Sequence, residues 1–368
     1  MPHHIVVALS GHGFGHLAQT VAVFEKLLES RQDIRITLRT SLPETILRER
    51  FPGPFDYEPA ELDRGMVMTN ALEVAVKESC AWYQAFHRDY AARVAAEASA
   101  LTRLKPDLVY ANVPYLSLAA ARRAEVPTIA LCSINWAEIF RIYCRRQPGA
   151  DDIYHEILES YQAAELFLLP EPSAPMPGLA NTRPIGPVGQ RGRDRRQALR
   201  RQLGIEPSTR LVLFGLGGIA TDLHGGEWSA GEALHWIVPD NMLDNMETRL
   251  GDATPASKLR MPFVDLLASC DLVITKTGYG TIVEAALAGV PVLCAERGDG
   301  WPEEPGLFDW MREHGRIRVI DWERLRHGAF HDEIETLLQE KDETRAAFPD
   351  GAKQAARILA RRLEGLPA

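Results

Sequence analysis

The sequence has little cysteine, and its cysteines form no pattern. Five cysteines in 368 residues are odd in number and widely scattered, and none of them stands at a spacing typical of a metal site. Cys132, Cys270 and Cys294 lie in or beside apolar runs of the kind that form buried strands. We therefore expect buried, reduced thiols and no metal.

Long apolar runs and an excess of positive charge are also missing. No run approaches the roughly 20 residues of a membrane span, and the first residues lead into a predicted strand without the features of a signal peptide. With 41 lysines and arginines against 50 aspartates and glutamates, the net charge is -9. Such a chain has no surplus of cations to displace the counterions of a nucleic acid. The sequence thus predicts a cytoplasmic protein with no transmembrane segment and no nucleic-acid partner.

The sequence does contain an alternation of short apolar runs and amphipathic segments. The apolar runs predict strands, and the alanine-rich stretch from 71 to 104, which lacks proline and glycine, predicts one or two helices. Alternating strands and helices predict parallel sheets with right-handed crossovers. Because 368 residues are too many for one compact core, two domains are expected.

A change in amino-acid composition near residue 170 marks the predicted domain boundary. Prolines and glycines crowd the stretch that follows, as in a stiff, exposed connector. We predict an N-terminal Rossmann-like domain over residues 1–170 and a linker over residues 171–190. A second Rossmann-like domain follows over residues 191–347, and a C-terminal helix in residues 348–368 is free to cross back to the first domain.

The most informative stretch is Lys276-Thr-Gly-Tyr-Gly-Thr-Ile-Val-Glu284, between two apolar runs. It predicts a strand-to-helix turn at the carboxyl end of a strand, where open α/β sheets bind ligands and a helix N-terminus attracts anions. Two interpretations of Glu284 stay open. With Thr281 it fits a capping box; if Thr277 caps the helix instead, Glu284 lies in the second turn and is free to accept hydrogen bonds from a ligand diol.

A second glycine loop, Gly11-His-Gly-Phe-Gly-His16, follows the first predicted strand. It is not a dinucleotide fingerprint, because His16 stands where glycine is needed and Arg39 near the expected acidic position. Arg39 could instead meet a 2′-phosphate. At a helix start the dipole would keep His16 neutral, which suits a general base, although a capping or packing histidine is the alternative. The same alternative holds for His12, and a His12–His16 metal pair lacks a third ligand.

The second predicted domain opens with two further features. Six arginines lie between Arg191 and Arg201, and they suit either an acidic partner or lipid headgroups, or simply the solvated face of a helix. The loop Gly215-Leu-Gly-Gly218 follows the first strand of this domain and is expected on the same side as the Lys276–Glu284 stretch.

These motifs together resemble glycosyltransferases of the GT-B fold. The segment from Met261 to Pro291 is similar to the donor-binding segment of the peptidoglycan N-acetylglucosaminyltransferase group. More closely, the chain resembles the glycosyltransferase-like N-terminal domain of L-arabinokinases, which has a Gly-His-Gly-Phe-Gly-His motif, a Lys-x-Gly-Tyr-Gly-Thr-x-x-Glu-Ala motif and a Glu-Glu-Pro loop. The last occurs here as Glu303-Glu304-Pro305. The resemblance is weak over residues 50–105 and 219–255.

The resemblance implies an α/β fold of two doubly wound parallel-sheet domains facing a central cleft, and a set of site residues. Glu284 would bind the ribose hydroxyls of a nucleotide sugar, and Glu303 or Glu304 the donor sugar. His16 would be the catalytic base, with Asp107 as its partner; the alternative for Asp107 is a salt-linked surface aspartate. The acceptor would bind near Trp136, Glu138 and Arg141. Gly217, Gly218 and the backbone near Thr277 to Gly280 would hold the diphosphate without a metal. The other predicted binding positions are Gly13 and Gly15, which allow close approach by a ligand, and Gly278, Tyr279 and Thr281 in the turn.

The leading prediction is an inverting, metal-independent glycosyltransferase. It would move a sugar from a nucleotide diphosphate sugar, with UDP or dTDP favoured, to an acceptor hydroxyl that the sequence does not identify. No cofactor is expected besides this co-substrate. Two alternatives remain: a sugar-nucleotide epimerase or hydrolase on the same fold, and a non-catalytic module that binds sugar nucleotides.

Overall fold

The computed structural model describes residues 2–70, 72–217, 234–240, 242, 252–298, 300–340 and 348–367, and the chain divides into two compact units. The first unit comprises Met1–Val67, Val74–Val188 and Pro349–Ala368. The second comprises Met68–Glu73 and Gly189–Phe348. Each unit therefore contains a segment that is remote in sequence from the rest of it.

The first unit is built on a parallel sheet of seven strands in the order β3-β2-β1-β4-β5-β6-β7. The central strand β1 is buried along most of its length, as expected for a strand that helices cover on both faces. Ile5, Val7 and Leu9 face one core, and Val6 between them faces the other. The strands are β1 His3–Leu9, β2 Ile34–Thr40, β3 Asp56–Pro59, β4 Leu108–Asn112, β5 Thr128–Leu131, β6 Leu166–Pro170 and β7 Thr182–Ile185.

Seven helices of this unit connect the strands or follow them. The alanine-rich stretch forms two helices, α3 and α4, as predicted. The helices are α1 Gly15–Ser30, α2 Glu44–Arg50, α3 Val76–Arg88, α4 Tyr90–Leu104, α5 Tyr115–Arg123, α6 Trp136–Cys144 and α7 Ala150–Gln162.

The second unit has a parallel sheet of six strands in the order β10-β9-β8-β11-β12-β13. Its central strands are again buried on both faces: Leu211 and Leu213 face one core, while Val212 and Phe214 face the other. The strands are β8 Arg210–Gly215, β9 Leu234–Val238, β10 Ala253–Pro255, β11 Leu272–Lys276, β12 Val292–Ala295 and β13 Ile317–Ile320.

The described helices of the second unit alternate with these strands. They are α8 Arg196–Leu203, α9 Phe263–Ser269, α10 Tyr279–Ala288, α11 Glu304–His314, α12 Trp322–Arg326 and α13 His331–Gln339, with a short 3₁₀ turn at Ala256–Leu259. Two doubly wound parallel sheets confirm the predicted fold class.

The last helix, α14 Gly351–Leu363, packs in the first unit although it follows the second in sequence. Its buried face includes Ala355, Leu359 and Leu363, which join the core formed by β1 and α1. An amphipathic helix needs an apolar surface to cover, and here α14 covers that of α1.

The cysteines differ in part from the expectation. Cys132, Cys270 and Cys294 are buried free thiols, as predicted. Cys80 and Cys144 form a disulfide that joins α3 to α6, so the expectation of reduced thiols is wrong for this pair. Disulfides persist mainly in oxidising compartments, and the cytoplasmic location stays a prediction. Among the described residues, no helix is both long and apolar enough to cross a membrane.

Candidate functional site

The glycine loop of the first unit lies between β1 and α1, at the carboxyl end of the sheet. Gly13 has a φ of +72°, a conformation that glycine adopts without strain. A Cβ at Gly11 would lie 2.1 Å from the Ser41 hydroxyl, so a side chain has no room there. Gly15 is the first residue of α1, and His16 is the second. The loop therefore delivers His16 to the carboxyl edge of the sheet.

His16 is buried, and its ring is held by the end of the neighbouring strand. Its Nδ1 lies 2.9 Å from Oδ1 of Asn112, the last residue of β4. Because β1 and β4 are adjacent parallel strands, the residues that follow β1 and the residue that ends β4 meet at one edge. The Sγ of Cys132 lies 3.6 Å from the same nitrogen.

A chain of side-chain amides sets the tautomer of His16. The Asn112 amide nitrogen donates to Gln19 Oε1 at 3.0 Å, and Gln19 Nε2 donates to the Ser133 hydroxyl at 3.2 Å. This assignment turns the Asn112 oxygen toward the imidazole, so Nδ1 of His16 carries the proton and donates it. The other ring nitrogen, Nε2, is then left with a lone pair and is the basic atom.

Burial lowers the pKa of His16 from 6.5 to about 4, and the hydrogen bond with Asn112 opposes only part of that change. The imidazole is neutral at pH 7, as predicted. The larger cause, however, is loss of solvent rather than the helix dipole. A neutral amide stabilises imidazolium less than a carboxylate would, so His16 is a weak base in this environment.

A buried carboxylate, Asp63, lies beside this histidine cluster. Its two oxygens accept hydrogen bonds from the Ser10 hydroxyl at 2.8 Å and from Trp136 Nε1 at 2.7 Å. Burial raises the pKa of Asp63 to about 6, against the effect of these hydrogen bonds. The Trp136 ring contacts both histidines edge-on, with centroids 5.7 Å from that of His16 and 5.0 Å from that of His12. Sequence reasoning singled out Trp136 but missed Asp63, because no local pattern marks that loop residue.

Asp107 is not the partner of His16, and that prediction is wrong. It precedes β4 and so lies at the amino end of the strand, whereas Asn112 ends the strand at the site. The Asp107 carboxylate accepts a hydrogen bond from the His4 amide at 2.7 Å, and its side chain is 53% exposed. Its role is to link the amino ends of β1 and β4.

Arg39 is paired within the protein and is not available to a 2′-phosphate. Its guanidinium donates two hydrogen bonds to the Glu97 carboxylate, at 2.9 and 2.6 Å, and is also paired with Glu58. Both Arg39 and Glu97 are buried. The protein itself uses the charge of Arg39, which links β2, β3 and α4.

The predicted acceptor residues lie on α6, the helix that Trp136 begins. Glu138 is buried in its first turn, and it accepts hydrogen bonds from Arg141 at 2.6 Å and from the Tyr154 hydroxyl at 3.2 Å. Asn135 caps this helix by accepting from the Glu138 amide. An acceptor site here stays a prediction.

In the second unit, the predicted turn lies between β11 and α10. The residue before the helix is Gly278, and no side chain in the described part of the chain caps the helix start. The capping box is therefore wrong, because Thr281 lies inside the first turn, where Tyr279 and Gly280 precede it. Thr277 is not the cap either. Glu284 occupies the second turn and is buried.

Glu284 lies against the chain that enters the second unit. A Cβ on Gly189 would approach the Glu284 side chain to 3.2 Å, and the Gln190 amide lies 3.5 Å from Glu284 Oε1. Gly189 thus leaves space for the buried carboxylate of Glu284 in the second turn of α10.

The neighbouring strands β8 and β12 bring two more segments to this edge. Gly217, with a φ of +82°, follows β8, and Gly218 lies outside the described residues. After β12, Glu304 begins α11 and accepts hydrogen bonds from the Thr277 hydroxyl and, at 2.6 Å, from the Arg297 amide. Glu304 therefore fixes the turn after β11 to the loop after β12. Glu303, just before α11, is also buried.

Two cations that the sequence reasoning did not assign lie beside this turn. Burial and, to a lesser extent, the charge of Arg297 lower the pKa of Lys276 to about 8, while the charge of Glu303 opposes the change. A Cβ at Gly217 would lie 3.7 Å from Lys276 Cε, so the aliphatic part of the lysine side chain lies beside the glycine loop. The Arg297 guanidinium lies over the Trp301 ring at 4.1 Å. Only the folded sheet shows that these residues are neighbours.

Within the described residues, no group of three or more histidine, cysteine, aspartate or glutamate side chains is arranged to hold a metal ion. Metal independence itself stays a prediction.

Comparison with known proteins found no matching family model. An L-arabinokinase from Arabidopsis thaliana is 26% identical over 313 residues, which are 84% of this chain and 30% of that protein. The chain thus spans less than a third of the length of this curated relative.

Solved glycosyltransferases share the fold over nearly the whole chain. The calicheamicin glycosyltransferase CalG4 matches with a TM-score of 0.56 and 16% identity, covering 99% of this chain and 95% of its own. A UDP-glucosyltransferase from Polygonum tinctorium matches at 0.57 and 13%, covering 99% of both chains. The glycosyltransferase VinC, solved in complex with dTDP, matches at 0.53 and 16%, covering 99% and 96%. The chain therefore has the GT-B fold of these glycosyltransferases and is similar in sequence to part of an L-arabinokinase.

Proposed function

We propose that this chain is an inverting, metal-independent glycosyltransferase whose donor is a nucleotide diphosphate sugar, with UDP or dTDP favoured. The observation that carries the proposal is His16: a buried, neutral imidazole at the carboxyl edge of the sheet, with its tautomer fixed by Asn112. A histidine held in this way presents one basic nitrogen, Nε2, to an acceptor hydroxyl.

The donor binds in the second unit, at the carboxyl ends of β8 and β11. The backbone of Gly217 and of residues 277–280 approaches the diphosphate, with the N-terminus of α10 adding its dipole. Lys276 and Arg297 supply positive charge at the same edge. Glu284 accepts hydrogen bonds from the ribose hydroxyls once the donor displaces the contact with Gln190.

In the transfer step, His16 Nε2 takes the proton of the acceptor hydroxyl while that oxygen attacks the anomeric carbon. The bond from this carbon to the diphosphate oxygen breaks on the opposite face, and its electron pair leaves with the diphosphate. The configuration at the anomeric carbon is therefore inverted. The charge that develops on the diphosphate is stabilised by the donors and cations of the second unit. Asn112 keeps the His16 ring in place while the imidazolium forms.

The test is calorimetry against UDP, dTDP, GDP and ADP without added metal, followed by turnover assays. One nucleotide should bind clearly. Glu284→Ala should weaken that binding about tenfold or more, because one or two charge-assisted hydrogen bonds are lost. His16→Ala should bind as the wild type does and abolish turnover.

The control for these variants is a thermal unfolding curve of each. If no nucleotide binds, the donor assignment is overturned. If Glu284→Ala loses stability with its affinity unchanged, Glu284 is structural. If His16→Ala keeps full turnover, the assignment of the base is overturned.

One observation favours a non-catalytic sugar-nucleotide-binding module as the second candidate. His16 has an amide partner and a pKa near 4, and no carboxylate among the described residues is hydrogen-bonded to its ring to stabilise an imidazolium. Nucleotide binding without release of the nucleotide diphosphate from any donor sugar, across a panel of acceptors, would favour this candidate over the transferase.

A further inference from the structure

A cavity of about 500 Å³ lies in the second unit, away from the proposed donor site. Several of its lining residues stand at the amino ends of strands: Arg210 begins β8, Asp271 precedes β11, Pro291 precedes β12 and Arg316 precedes β13. The glycine loop and the Thr277 turn follow the carboxyl ends of the same strands. The cavity and the donor site therefore occupy opposite edges of one sheet.

The cavity is lined by four arginines, Arg191, Arg196, Arg210 and Arg316, and by two aspartates, Asp194 and Asp271. Positive side chains thus outnumber negative ones in a chain whose net charge is -9. This local excess runs against the overall charge of the protein, so composition alone does not explain it.

The three ion pairs to Asp271 leave part of this positive charge unpaired. The Asp271 carboxylate is buried and lies 2.8 Å from Arg196, 3.3 Å from Arg200 and 3.5 Å from Arg210, and it also accepts from the Leu211 amide at 2.8 Å. One carboxylate shared by three guanidinium groups leaves them with unused donors, since each guanidinium has five N–H groups.

Three of the lining arginines have donor capacity left in the structure. The Nε atoms of Arg196 and Arg316 are buried and have no hydrogen-bond partner within the described part of the chain. Arg191 is exposed, and the described residues offer it neither an ion pair nor a hydrogen bond. Buried N–H groups without a partner are costly, but these two Nε atoms lie below the accessible surface. An oxyanion in the cavity would therefore meet the terminal N–H groups of the lining arginines.

We propose that this cavity is a binding site for a small phosphorylated molecule, separate from the donor site. Guanidinium groups match the geometry of phosphate oxygens and bind them in a bidentate manner. The volume is that of a small-ligand site, and its charged lining suits a polar phosphate ester better than an apolar ligand.

A simpler role for the arginines is to offset the negative end of α10, whose last residues, Leu287 and Ala288, also line the cavity. One nearby cation serves that purpose. Moreover, the Gly289 amide already bonds to the Ala285 and Ala286 carbonyls at this helix end. Four arginines exceed what the helix end requires.

The test is calorimetry of the full chain with inorganic phosphate and with ribose 5-phosphate. The informative variant is Arg191→Gln with Arg210→Gln, because Arg191 has no described partner and Arg210 is half-exposed. The matched control is Arg193→Gln with Arg201→Gln, which removes the same charge from exposed positions of the same arginine-rich segment outside the cavity lining. Lys276→Met reports on phosphate bound at the donor site instead.

We expect the first pair to weaken binding of ribose 5-phosphate about tenfold or more, with the control pair and Lys276→Met close to the wild type. Three results would overturn the proposal: no binding of either probe at about 10 mM, equal weakening in both arginine pairs, or loss in Lys276→Met alone. Should the double variant fail to fold, Arg191→Gln by itself provides the same test. Failure of nucleotide binding at the donor site would leave this result unaffected.

Discussion

At the scale of single residues, His16 illustrates how one neighbour sets the chemistry of a histidine. A carboxylate in the place of Asn112 would favour the imidazolium, whereas the amide only orients the ring. The structure thus combines a well-positioned base with a low basicity. The position of the His16 ring and its basicity can be tested separately, because the side chain at position 112 sets the basicity.

Asn112→Asp should raise the pKa of His16 from about 4 towards its ordinary value of 6.5. The physical reason is that a buried carboxylate next to Nδ1 stabilises the protonated ring. The pKa is measured by NMR titration of the imidazole, with the signal assigned from Asn112→Asp in a His16→Gln background. If the transferase proposal holds, the acidic limb of the pH dependence of turnover moves to higher pH together with this pKa. An unchanged titration would mean that Asn112 does not contact the ring in solution.

The same histidine should make the protein less stable in mild acid. The unfolded chain binds a proton at His16 near pH 6.5 and the folded chain only near pH 4, so stability falls as the pH drops through this window. Between pH 7 and 5 the wild type should lose about 2 kcal/mol more of its unfolding free energy than His16→Gln, as measured by urea denaturation.

Asp63 acts with the opposite sign in the same range. Its pKa of about 6 in the folded chain lies above the ordinary value of 3.8, so it favours the folded state as the pH falls from 6 towards 4. The comparison with His16→Gln cancels this contribution, because both proteins retain Asp63. Equal pH dependence of the two proteins would contradict a buried, neutral His16.

At the scale of elements, the disulfide connects the helix that begins with Trp136 to α3. Cys80 and Cys144 are 64 residues apart in sequence, so the bond closes a long loop and restricts the unfolded chain. Cys144 ends α6 and Trp136 begins it, so the bond anchors the helix that contacts both histidines of the site.

Reduction of the disulfide should lower the unfolding free energy by about 2–4 kcal/mol. The measurement is denaturation with and without a reducing agent. The control is Cys80→Ser with Cys144→Ser, in which the reducing agent should have no effect on stability. Identical curves for the oxidised and reduced wild type would show that the two thiols are not bonded in solution.

The turn between β11 and α10 shows how elements cooperate at the proposed donor site. Glu304 belongs to α11, yet it receives hydrogen bonds from the turn after β11 and from the loop after β12. The resemblance assigns Glu303 or Glu304 to the donor sugar. Glu304 instead accepts hydrogen bonds from Thr277 and Arg297 and so stabilises the site itself. The contact of Glu303 with a donor sugar stays a prediction.

At the scale of the whole molecule, each unit is completed by a distant segment of chain. Residues 349–368 belong to the first unit, and Met68–Glu73 belong to the second. The first unit therefore cannot complete its core before the end of the chain is available, because α14 covers part of α1.

Leu359→Ala should destabilise the first unit by about 2–5 kcal/mol, since a fully buried leucine leaves a cavity when truncated. Leu366→Ala is the matched control, because that side chain is 47% exposed just beyond the same helix, and its loss should have little effect. Thermal and urea denaturation measure both. Equal stability of the two variants would show that α14 does not pack on α1 in solution.

The sequence by itself determined the alternation of strands and helices, the two parallel sheets and the glycine-containing turns at their carboxyl ends. It also placed His16 at a helix start and Glu284 within a helix after a turn. These features follow from local periodicity and from the backbone preferences of glycine, which act over a few neighbouring residues.

Only the tertiary structure decided the partners of these residues. It joined His16 to Asn112 rather than to Asp107, and Thr277 to Glu304. It also formed the disulfide and gathered arginines from three segments around one cavity. The physical reason is that these contacts depend on which strands become neighbours and on which of their ends meet. Burial then changes the pKa of each group, and no local pattern of residues encodes that.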